Sequence, residues 1–98
     1  MIPQEYIDKI YNKINKANLN NTLKIADDLK NTYNFNEFCS SLLNKCSDDV
    51  LINKEKSKKI SELIFKYQMC YNNDMYQYNK SMLIDNFILE LCTSLRSI

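Results

Sequence analysis

A chain of 98 residues with no glycine, and with Pro3 as its single proline, has few ways to turn. Tight hairpins and several β-turn types need a positive φ, which glycine supplies without steric cost. A β-rich fold needs many such turns, so their scarcity directs the chain to helices. Asparagine tolerates the left-handed region next best, and the chain has fourteen. Asn18, Asn20, Asn21, Asn31, Asn34, Asn53, Asn72 and Asn73 fall where the apolar periodicity breaks, and they read as helix starts and stops.

Between those breaks the spacing predicts five helices. The first runs from Pro3 to about Ala17, with Tyr6, Ile7, Ile10, Tyr11 and Ile14 inward and Pro3 in the first turn. The second runs from about Thr22 to Asn31, with Leu23, Ala26 and Leu29 inward. The third has the clearest start: Asn34 as cap, Glu37 as its capping-box partner, and Tyr33 with Phe38 as a hydrophobic staple. Its stripe is Phe35, Phe38, Cys39, Leu42, Leu43 and Cys46. A connector, "SDDVLIN", offers Val50, Leu51 and Ile52 to the core. The fourth helix runs from Asn53 to about Tyr71 or Asn72, lined by Ile60, Leu63, Ile64, Tyr67 and Tyr71, with Glu62 and Lys66 paired outside. The fifth runs from Met75 to about Ser97, with Asp74 and Gln77 as a weak capping box and Leu83, Ile84, Phe87, Ile88, Leu91 and Leu95 inward.

The expected fold is therefore all-α: one domain over residues 1–98, a compact bundle of about five helices with the C-terminal helix central. A hydrophobic share of 45% and a charged share of 26% suit a packed core of that size. Cys39, Cys46, Cys70 and Cys92 lie on or beside apolar stripes with no C-x2-C spacing, which favours core thiols over disulfides and argues against zinc.

Two apolar sets do not fit a simple core. On the fourth helix, Phe65 and Met69 fall among Lys58, Glu62 and Lys66, opposite the inner line. On the fifth, Met75, Tyr78, Met82, Leu89 and Cys92 form a second line with heptad-like spacing, interrupted at Asp85. Either the fifth helix packs on both sides, or the line is open to a partner. Met and Tyr suit a contact surface, because Met adapts its shape and Tyr brings much area on few rotatable bonds. Phe65, Met69, Met75, Tyr78, Met82 and Leu89 are accordingly the candidate partner-binding residues, with Asp85 a polar residue able to set register in that interface or to sit solvated at its edge.

Catalysis has little to work with. Without histidine there is no Ser-His or Cys-His pair and no imidazole base; without glycine there is no phosphate-binding loop. No catalytic residue, metal, cofactor or small-molecule substrate is expected. Asp27–Asp28 and Asp48–Asp49 diverge on a helix and read as solvated or capping charges. Lys54, Lys56, Lys58 and Lys59 form the one basic cluster, but a net charge of +1 argues against a nucleic-acid binder. Lysine outnumbers arginine twelve to one, the bias of an AT-rich genome. With no apolar run long enough for a membrane and no secretory signal, the expected site is the cytoplasm.

These readings converge on a non-catalytic intracellular protein-binding module, an adaptor or inhibitor that docks a partner helix or a second copy of itself. The alternatives are a nucleic-acid-associated helical protein using the Lys54–Lys59 turn, and a small helical scaffold subunit of a larger complex.

Overall fold

A computed structural model describes residues 2–13, 19–48, 54–73 and 79–96, and five α-helices account for nearly all of them. They are α1 (Gln4–Lys13), α2 (Leu19–Asn31), α3 (Phe35–Asp48), α4 (Lys54–Asn72) and α5 (Lys80–Arg96). There is no strand among the described residues. The expected continuation of the first helix through Ile14 and Ala17, the core plugs Val50, Leu51 and Ile52, and the Asp74–Gln77 box lie outside the described residues.

α4 packs between α3 and α5, α5 between α4 and α2, and α2 also meets α3, while α1 lies on α3. One apolar cluster runs through all five helices. α5 is central in that it is packed on two flanks and buries Leu83, Ile84, Phe87, Ile88, Leu91 and Cys92. α3 shares that position, since it meets three neighbours and fully buries Phe35, Phe38, Cys39, Leu42 and Cys46. The aromatic joint lies where α3, α4 and α5 meet. Phe87 stands edge-on to Phe35 at 5.4 Å and lies 5.3 Å from Tyr67, and Phe35 lies 4.6 Å from Tyr71.

Asparagine does start helices here, but it does not end them in the left-handed region: no described residue has positive φ. The Glu37 N–H donates to Asn34 Oδ1 at 3.0 Å, the cap expected for α3. The Glu37 carboxylate accepts the Ile2 N–H at 3.0 Å and ties the start of the chain to α3. Tyr33 is likewise drawn to α1, with its ring 4.8 Å from that of Tyr6. α5 is capped by Asn79, whose Oδ1 accepts the N–H groups of Ser81 and Met82 at 3.0 and 3.3 Å. Replacing Asn34 by alanine orphans a helix-start donor and should cost about 1 kcal/mol, lowering Tm by roughly 4–8 °C in a thermal melt.

One inner face differs from expectation. On α2 the inward line is Thr22, Ala26 and Leu29, and Leu23 is 40% exposed. The spacing i, i+4, i+7 is as helical as the one expected, but the helix begins at Leu19 and is turned to present its small residues. Thr22 and Ala26 lower the surface of α2 so that it can lie close against α5. The Thr22 hydroxyl loses little by going inside, because it donates to Cys92 Sγ at 3.8 Å.

Candidate docking face

α4 is saturated on three sides. Its inner side buries Ile60, Leu63, Ile64 and Tyr67. Toward α5, Lys66 Nζ approaches Glu90 Oε1 at 3.4 Å, and Tyr67 donates its hydroxyl to Glu90 Oε2. Burial first, and then this acceptor and its charge, push the Tyr67 hydroxyl well above its ordinary pKa. Toward α3, the Asn36 and Asn72 amides exchange hydrogen bonds of 2.9 and 3.0 Å. Gln68 adds a longer bond of 3.4 Å to Asn36 Oδ1. Phe65 and Met69 belong to the fourth, outer side. Phe65 is 59% exposed and Met69 71% exposed, one turn apart.

The second line of α5 is divided along its length. Cys92 is buried beneath α2, and Leu89 is half-buried. Asp85 Oδ1 meets Lys30 Nζ of α2 at 2.6 Å, so the polar residue that interrupts the line is paired within the bundle. Met82 alone of the described residues on that line is open, at 63%. Met75 and Tyr78 lie outside the described residues.

The candidates do not form one continuous stripe among the described residues. α4 and α5 run antiparallel, with Tyr67 level with Phe87 and Glu90. Lys66 occupies the α5-facing flank of α4 and joins Glu90, while Phe65 and Met69 lie on α4 and Met82 and Leu89 on α5. The result is one apolar patch on α4 and a smaller one at the start of α5. No protein-family model, curated protein or solved structure matches this chain.

The basic cluster is also divided. Lys54, Lys58 and Lys59 are exposed, but Lys56 turns its ammonium over the Tyr11 ring at 4.3 Å. Nearby, Lys45 pairs with Asp8 at 3.3 Å, and Asp8 is held below the ordinary carboxylate range by a hydrogen bond from Gln4 and then by Lys45. None of the four cysteines is in a disulfide. No helix among the described residues is long and apolar enough to cross a membrane.

Sequence reasoning missed two residues at this surface. Leu23 is exposed on the flank of α2 that carries Lys30, and only the observed rotation of α2 reveals it. Glu90 is the acceptor that closes the α4–α5 seam. A Lys and a Tyr in sequence on α4 gave no signal of that acceptor, because it depends on the register between two helices.

Proposed function

We propose that this chain is a non-catalytic protein-binding module whose contact is the outer side of α4, centred on Phe65 and Met69. The observation that supports it is their exposure on a helix whose three other sides are already occupied. The bundle gains nothing from leaving these side chains in water, and their burial in a partner's apolar pocket stabilises by about 1.5–3 kcal/mol each. The partner is another protein with a concave apolar site. Two copies meeting through this patch would bury roughly 500 Å2 from these side chains, less than half of the ~1,200 Å2 that a stable interface needs.

Changing Phe65 and Met69 together to serine should leave Tm within about 3 °C of the parent, since neither is in the core. Binding should fall at least ~100-fold for a partner captured from the native host, by the same area reasoning. Retention of the partner with unchanged affinity sinks the proposal. Binding that survives the double change but falls steeply with salt would move the contact to Lys54, Lys58 and Lys59 and make nucleic acid the ligand.

A further inference from the structure

The outer side of α4 continues past Phe65 and Met69 toward the start of the helix. At about 100° per residue, Lys54, Lys58, Phe65 and Met69 fall within about 60° of arc, and all four are exposed. Along the axis Lys58 lies about 10 Å from Phe65, and Lys54 about 16 Å. Glu62 stands at the edge of this arc, about 20° beyond Met69. The stripe is basic at one end and apolar at the other.

Nothing inside the described bundle uses these lysines. Residues 54–59 hold four lysines against Glu55, a net +3 in a chain whose total is +1. Lys56 turns inward over the Tyr11 ring. Lys54, Lys58 and Lys59 enter no ion pair among the described residues, where the paired lysines are Lys30, Lys45 and Lys66. Lys54 is also the first residue of α4, at the positive end of the helix dipole, where a carboxylate would support the helix and a cation opposes it. Side chains that break a local rule without compensation inside the chain mark a contact outside it.

We infer that the apolar site receiving Phe65 and Met69 is bordered by carboxylates, which the partner protein sets against Lys58 and Lys54. The inference rests on the α4 contact proposed above and names the chemistry of what binds there. The apolar end holds the complex, and the charged end fixes its direction along α4 and speeds encounter. A protein can place its carboxylates away from Glu55 and Glu62, whereas a lipid surface or a nucleic acid would press phosphates against both.

The test compares the full chain with two double variants, Phe65→Ser with Met69→Ser and Lys54→Glu with Lys58→Glu. A protein from the native host counts as the partner only if the serine pair abolishes its capture. For that purified protein, the charge-reversed chain should bind at least ~10-fold more weakly, largely through a slower association rate. Carbodiimide, which condenses a lysine amine with an adjacent carboxylate, should join Lys54 or Lys58 to an Asp or Glu of that protein, read from peptide masses. Equal affinity for the parent and charge-reversed chains overturns the acidic border and leaves the apolar contact standing. If no captured protein depends on Phe65 and Met69, the contact itself falls. Phosphatidylserine vesicles and single-stranded RNA are tested alongside, and binding of either that disappears on charge reversal gives the lysines to phosphate and overturns the inference. Lys54→Glu alone should raise Tm by about 1–4 °C. A fall in Tm would show that Lys54 serves the helix, and would overturn it as well.

Discussion

Truncating Phe87 to alanine should lower Tm by roughly 15–30 °C, against a change of no more than ~3 °C for Phe65→Ala. The two positions hold the same residue type on neighbouring helices, and only their surroundings differ. Phe87 is fully buried and its ring meets Phe35 of α3 and Tyr67 of α4, so its loss opens a cavity at the junction of three helices. Phe→Ala at such sites costs about 3–5 kcal/mol, a large part of the 5–15 kcal/mol that holds a domain of this size together. Phe65 is more than half exposed and leaves no cavity. Thermal melts followed by helical circular dichroism separate the two. A loss below about 5 °C for Phe87→Ala would mean that the aromatic joint does not fasten α3, α4 and α5.

A fall in stability above pH 9 is the second large effect expected. Burial pushes the Cys39 thiol from its ordinary 9 up to about 12. Burial, followed by the charge of Asp28, pushes the Tyr6 hydroxyl from 10 up to about 12. Tyr67 is raised as well, by burial and then by Glu90. In each case the folded-state pKa exceeds the unfolded one. Folding therefore favours the protonated form, and the associated stability is intact below the unfolded pKa and is lost as pH rises toward the folded value. For Cys39 at pH 11, two pH units above 9 at about 1.4 kcal/mol each remove roughly 3 kcal/mol. The tyrosines add to this from pH 10 upward. With no histidine, side chains of ordinary pKa contribute nothing between about pH 6 and 8, so the urea midpoint should be flat there. Urea titrations at pH 7, 9, 10 and 11 check the slope, and Cys39→Ala should delay its onset by about one pH unit. An unchanged midpoint at pH 11 would show that these groups are solvated in the folded chain.

Much of the inward patterning was legible in advance. Ile60, Leu63, Ile64 and Tyr67 on α4, and Leu83, Ile84, Phe87, Ile88 and Leu91 on α5, are buried at the positions their spacing indicates. Period 3.6 carries that information because one face of a helix must be dry. The start of α5 was misplaced: Asn79 caps it, and the periodicity upstream of Asn79 gave no sign of a boundary there. The face of α2 was misread because threonine scores as polar, although a hydroxyl with a sulfur acceptor can be buried. The α4 half of the docking candidates stands out in the sequence and in the structure alike, since Phe65 and Met69 oppose a complete inner line.

The amino-acid sequence by itself determined that the chain is helical, through the lack of glycine, and which side of α3, α4 and α5 turns inward, through the spacing of their large apolar residues. Only the tertiary structure decided the fate of the remaining apolar residues. Cys92 is inside because α2 lies across it, while Phe65, Met69 and Met82 are outside because no described helix does. A helix wheel fixes directions within one helix; whether a second helix occupies a given direction depends on packing between segments distant along the chain, which periodicity does not encode.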